Sequence, residues 1–220
     1  MNMEFQIKQV TFCYDKEPIL KGVTGGFRGA GLYGIFGPNG SGKTTLLKCC
    51  AGILSPLEGS IEFAGSSLHR MNYRERGRLV SYVPQEHSLS FPFTVEEMVL
   101  MGRTPHLGGL NRPRRNDEEI VRGVMAEIGI AELAEKPYTQ LSGGQRQLVL
   151  LARAMAQDTP VLSLDEPTSC DEVLVLKAGT VLHQGAVNTT LTESCLWELY
   201  GGICRLQNGM IVPQLEHEPG

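Results

Sequence analysis

The stretch Gly37-Pro38-Asn39-Gly40-Ser41-Gly42-Lys43-Thr44 constrains this chain most, because it matches G-x-x-x-x-G-K-[ST] at every fixed position. Glycines at this density make poor helix or strand, but they suit a backbone that wraps a phosphate chain and aims its N–H groups inward. Upstream, Leu32–Phe36 predicts a buried strand; downstream, Thr44–Ala51 predicts a helix stopped at Gly52. Strand, glycine loop and helix is the context the motif requires, and the helix N-terminus adds partial positive charge. On this reading Gly37, Pro38, Asn39, Gly40, Ser41, Gly42 and Thr45 line the phosphate site. Lys43 neutralises the β- and γ-phosphates, and the Thr44 hydroxyl ligates Mg²⁺.

A chain of 220 residues is long enough for one substantial α/β core with an inserted subdomain. Its hydrophobic content of 41% and charged content of 20% are those of a globular protein rather than a disordered one. The net charge of −4 argues against a nucleic-acid binder that works by bulk electrostatics. Arg112, Arg114 and Arg115 cluster around Pro113, as a solvated loop would. Cys13, Cys49, Cys50, Cys170, Cys195 and Cys204 show neither C-x-x-C pairing nor zinc spacing, which suits a reducing cytosol. No run approaches the ~18 apolar residues of a membrane span, so membrane association is expected only through a partner.

Strand-like alternation fills Phe5–Phe12, and Gly59–Phe63 reads as another strand after the turn at Pro56. Together they predict a small antiparallel β-layer. Leu79–Val83 reads as a short strand ending at Pro84-Gln85. Helical patterning covers Val95–Arg103 and Asp117–Ile128, the second capped by Asn116 and ending before Gly129. A further helix follows Gly144, with Leu148, Leu151, Ala152 and Met155 along one face. Val161–Leu164 is expected as a buried parallel strand that delivers Asp165 and Glu166 at its C-terminal edge. Val173–Leu176 and Thr180–His183 read as a hairpin turning through Lys177-Ala178-Gly179.

Further chemistry sits at consistent places. Leu141-Ser142-Gly143-Gly144-Gln145 opens a helix and offers a second set of backbone N–H groups. Asp165 is placed to hold Mg²⁺ through water, and Glu166 to polarise an attacking water. Gln85, at a strand end, is placed to sense the metal and the γ-phosphate. Tyr14, on an early loop, presents an aromatic face for adenine, although it also reads as an ordinary strand-end aromatic.

This set resembles the ATP-binding subunit of ABC transporters over nearly the whole chain. The resemblance implies a P-loop α/β core with an antiparallel β-subdomain, and a helical insert spanning roughly Val95 to Thr139. It implies one domain over residues 1–220, with a C-terminal hairpin and tail from about residue 172. It also implies MgATP hydrolysis, with Glu166 as base and Gln85 coupling to a membrane permease subunit. Ser142, Gly143, Gly144 and Gln145 are implied to act in trans, in a head-to-tail dimer with a second ATP-binding subunit. Met101-Gly102-Arg103-Thr104-Pro105-His106-Leu107-Gly108 and the tail near Tyr200-Gly201 resemble the branch that imports ferric siderophores, haem or cobalamin. That branch implies a solute-binding protein as an indirect partner, and a peripheral place on the inner face of the cell membrane. An ABC ATPase of a soluble machine is the alternative within the same family, and the absence of a long insert or basic tail weighs against it.

The pattern breaks after Glu166. Only Pro167-Thr168-Ser169-Cys170-Asp171-Glu172 separates it from the strand at Val173, too short for a parallel crossover. The resembled family places a helix, a core strand and a switch histidine in that interval. The chain reads as an in-frame loss near Ser169/Cys170 or as a sequence lacking residues of its native form, and one core strand is missing either way. His183 lies in the later hairpin, while His69, His87, His106 and His217 lie in other regions, so no histidine inherits the switch role. Asp171 does not inherit the role of the subunit-contacting loop. A nucleotide-binding module with lost or impaired hydrolysis is therefore the second expectation.

Overall fold

Alternating Phe5, Ile7, Val10 and Phe12 bury one face of the first strand, and the skipped step between Ile7 and Val10 is a register shift. Gln9 takes φ 49° there, and the extra residue returns the apolar side chains to the core face. The computed structural model describes residues 4–84, 92–108, 112–164, 170–200, 204–207 and 210–213. Its chain divides into two compact units, Met1–His69 with Pro167–Gly220, and Arg70–Glu166.

The first unit opens with β1 (Glu4–Cys13), β2 (Pro18–Arg28), β3 (Tyr33–Phe36), α1 (Lys43–Cys50), β4 (Glu58–Phe63) and β5 (Ser66–Ser67). The second contains α2 (Tyr73–Gly77), β6 (Val80–Val83), α3 (Val95–Leu100), α4 (Arg115–Ile128), α5 (Gly143–Ala156) and β7 (Val161–Leu164). The chain then returns to the first unit with β8 (Glu172–Lys177), β9 (Thr180–Ala186), α6 (Val187–Thr190) and α7 (Glu193–Tyr200). A last hairpin pairs β10 (Cys204–Gln207) with β11 (Met210–Pro213).

The predicted antiparallel layer is present, in the order β2-β1-β4-β5. The core strands fall into two separate ladders, a three-stranded sheet β3-β8-β9 and a parallel pair β6-β7. Tyr33 to Phe36 pair in parallel with Glu172 to Val175, and β9 returns antiparallel as the expected hairpin. Among the described residues no strand joins β3 to β7, so each has one edge without a ladder partner. The expectation of a fully buried β7 is corrected here: Leu162 is 41% exposed, and among the described residues β7 pairs only with β6.

Three local expectations also change. Asn116 is not the cap of α4; the helix begins at Arg115, and the Asp117 carboxylate reaches back to accept from the Arg114 N–H at 3.0 Å. Gly129, at φ 78°, ends the helix as expected. The helix expected over Val95–Arg103 stops at Leu100 and tightens into a 3-10 segment, Met101–His106, that contains Pro105. The face expected for α5 is rotated: Val149, Ala152 and Ala156 join the helical core with Met98, Val99, Val121 and Met125, and Leu150 and Ala154 pack on Val83. Leu148 is 40% exposed.

No helix among the described residues is long and apolar enough to cross a membrane. Cys13, Cys49, Cys50, Cys170 and Cys195 are free thiols, and burial pushes the Cys49 thiol up to about 12.

Candidate phosphate-binding site

The glycine loop leaves the C-terminal end of β3 and enters α1 at Lys43. Gly37 takes φ 151°, and a Cβ there would stand 2.2 Å from the Leu176 carbonyl of β8. Gly42 caps α1 in the left-handed region at φ 101°, with no side-chain cap, so the helix start is left to backbone donors. A Cβ on Gly42 would meet Leu20 Cδ2 at 2.8 Å. Gly40, at φ 77°, faces open space.

Support also comes from residues that the sequence reading treated only as a hairpin turn. Ala178 and Gly179 take positive φ, 48° and 84°, as a tight antiparallel connection requires. The Gly179 N–H donates to the Ser41 carbonyl at 3.1 Å, and the Lys21 N–H donates to the Gly179 carbonyl at 2.8 Å. The hairpin tip thus ties the phosphate loop to β2. The legible signal was the glycine after Ala178, but not what it would touch.

Lys43 Nζ donates to the Gly37 and Pro38 carbonyls at 2.8 and 3.0 Å, which draws the ammonium back over the loop. Ser41 is only 2% exposed, and its Oγ has no hydrogen-bond partner among the described residues. An orphaned buried hydroxyl in a glycine cradle, beside an ammonium and a helix N-terminus, fits a phosphate oxygen or its metal. Thr44 is exposed and Thr45 buried on the first turn of α1. The donor set therefore fits Mg²⁺-triphosphate.

Tyr14 stands between β1 and β2, 56% exposed, with its ring edge-on to Phe12 at 5.0 Å. The turn it begins runs into Ile19 and Leu20, which lie against Gly42, so it shares a neighbourhood with the loop. Asp171 is placed at the opposite end of these strands. Its carboxylate accepts from the Leu32 N–H at 2.8 Å, at the N-terminal start of β3 and β8. His183 is half-exposed on β9, 3.5 Å from the Glu198 carboxylate of α7.

In the other unit, Ser142 is the N-cap of α5 and Leu141 is buried beneath it. Ser142 Oγ accepts from the Gln145 N–H at 3.3 Å, and Gln145 Oε1 accepts from the Ser142 N–H at 3.1 Å. Gly143 and Gly144 have nothing within 4 Å of where a Cβ would stand, so an anion can approach their backbone. Gln85, Asp165 and Glu166 lie outside the described residues.

A parallel strand delivering a glycine loop to a helix N-terminus, with a lysine folded over it, defines the P-loop nucleotide-binding class. Residues 20–169 match the ABC transporter family, and the chain belongs to that family. It is 44% identical over 155 residues to the cobalamin import ATP-binding protein BtuD of Halobacterium salinarum, covering 70% of this chain and 38% of that protein. It is also 44% identical over 169 residues to the hemin import ATP-binding protein HmuV of Gloeobacter violaceus, covering 71% of this chain and 61% of that one. The matches span between 38% and 66% of the length of these curated relatives. A solved chain described as a metal-chelate type ABC transporter in an inward-facing conformation shares the fold, with a TM-score of 0.80 at 24% identity over 98% of this chain and 99% of its own.

Proposed function

We propose that this chain is the ATP-binding subunit of an importer for a metal chelate of the siderophore, haem or cobalamin type, and that it hydrolyses MgATP. The observation that carries the nucleotide half is the buried, unpartnered Ser41 hydroxyl inside the glycine cradle under Lys43. The names of the relatives carry the solute half. Lys43 and the loop N–H groups hold the β- and γ-phosphates, Tyr14 stacks on the base, and Thr44, Gln85 and Asp165 hold the metal. Mg²⁺, when bound, would neutralise the charge that develops on the β- and γ-phosphate oxygens. Glu166 takes the proton of the attacking water, and Gly143 and Gly144 offer their N–H groups to the γ-phosphate held by a second subunit in a head-to-tail pair. Gln85 and the residues after it face the permease, which keeps the subunit on the inner side of the membrane.

A second reading is favoured by one specific observation: among the described residues the core strands form two separate ladders, β3-β8-β9 and β6-β7. No histidine inherits the switch role, and His183 is engaged with Glu198 instead. On this reading the chain binds ATP without turnover. Steady-state MgATP hydrolysis, measured beside Lys43→Ala and Glu166→Gln with a fluorescent ATP analogue as binding probe, separates the two. Turnover lost in both variants, with binding lost only in Lys43→Ala, supports the ATPase. Binding without turnover in the unmodified chain supports the second reading, and absence of binding overturns both.

A further inference from the structure

The Met101–His106 segment, whose chemistry the sequence does not reveal, makes a clamp on the far end of the helix that Ser142 opens. Buried Arg103 donates through Nη1 to the Ala156 carbonyl at 2.8 Å, on the last turn of α5. Its Nε donates to Asp117 Oδ1 at 3.0 Å, and both side chains are more than nine-tenths buried. Asp117 in turn caps the start of α4 through the Arg114 N–H. His106 Nε2 lies 2.7 Å from the Gln157 carbonyl and is the protonated ring nitrogen. The main chain approaches so closely that a Cβ on Gly102 would stand 2.1 Å from the Arg153 carbonyl. Charge suits both ends of the clamp, with a cation at a helix C-terminus and a carboxylate in a first turn.

Burial works to raise the Asp117 pKa, but the Arg114 N–H and the Arg103 guanidinium outweigh it and hold the carboxyl below its usual range. A buried ion pair is a weak source of stability, since apolar replacements of similar volume are often neutral. What it supplies here is direction. Arg103 has two acceptors on two helices, so it fixes how α5 is rotated and shifted against α4. α5 is a rigid rod of 14 residues, about 21 Å long at the usual rise, so its C-terminal seat sets where its N-terminus lies.

We propose that Arg103 is a positioning residue for the Ser142-Gly143-Gly144-Gln145 N–H groups, acting through α5 and held in place by Asp117. This rests on the reading of that loop as a phosphate-contacting surface. The test uses the double variant Arg103→Met/Asp117→Leu, which leaves no unpaired charge, beside Arg103→Lys, which keeps the charge but not the two-pronged grip. Two readouts are taken: backbone hydrogen exchange over residues 142–146, and kcat against KM for ATP. In the double variant, exchange is expected to rise at the start of α5 and not in the interior of α4. Its kcat is expected to fall about 10- to 100-fold with KM within about twofold. Arg103→Lys is expected to fall between it and the unmodified chain.

A folded double variant with unchanged exchange over 142–146 and unchanged kcat overturns the proposal. A uniform rise in exchange through α3, α4 and α5 also overturns it, because that is loss of stability and not of position. If the unmodified chain does not hydrolyse ATP, the ATPase reading fails, and exchange alone decides the role of Arg103. Should the double variant not fold, Arg103→Lys carries the same two readouts.

Discussion

Two glycine loops open two helices in this chain, and they hold their shapes by opposite means. The phosphate loop is shaped from outside: Leu176, Gly179, Ile19 and Leu20 press on Gly37, Ser41 and Gly42, and its helix start has no side-chain cap. The Ser142 loop is shaped from within, by a reciprocal pair of hydrogen bonds closed inside four consecutive residues. A loop held by remote contacts keeps its donors turned toward a ligand and depends on the sheet behind it. A self-capped loop survives changes elsewhere and presents only the N–H groups its glycines uncover. The hairpin that supports the phosphate loop follows Ser169/Cys170 in the chain, so the cradle takes its backing from beyond the point where the family pattern breaks.

The contrast breaks most sharply at Gly37. Gly37→Ala sets a methyl against the Leu176 carbonyl at a φ that side chains avoid, a strain of about 1–3 kcal/mol. Calorimetric titration should find ATP binding abolished and thermal unfolding shifted downward; retained binding would mean the outside contacts do not set the loop. Next comes Ser142→Ala, which removes the internal cap and should cost about 1 kcal/mol in chemical denaturation while leaving ATP affinity unchanged. The smallest stability effect belongs to Gly144→Ala. Its Cβ meets nothing, and the better helix former should stabilise the chain by up to about 1 kcal/mol. Yet the methyl covers the N–H approach, so hydrolysis should fall; full activity would remove the loop from the phosphate contact.

The same contrast explains what could be read in advance. The Ser142 loop was legible because its cap is local, and so was the phosphate loop as a motif, because its glycines are diagnostic. Its supports were not legible: nothing around Gly179 or Leu176 tells a reader that they touch Ser41 and Gly37 across more than a hundred residues of chain. Asn116 misled because an Asx residue before an amphipathic run is the usual cap, whereas Asp117 reaches back from the third position. Ala152 is buried as expected, but the face of α5 is rotated because Leu148 and Leu151 were counted as core, when Val149 and the small Ala156 join Ala152 there instead. Arg103 and Asp117 are 14 residues apart, and only folding makes them a pair. The strand interruption, by contrast, was plain from chain length alone, since six residues cannot make a parallel crossover.

The two open ladder edges bear on how this chain behaves in a crowded solution. β3 and β7 each span only four residues, so among the described residues each offers a brief row of amide donors and acceptors to a passing strand. Short rows grip weakly, and this limits how far one molecule can template its misplaced fibre-like stacking on another. The exposed Leu162 beside one of them works in the other direction, adding an apolar foothold.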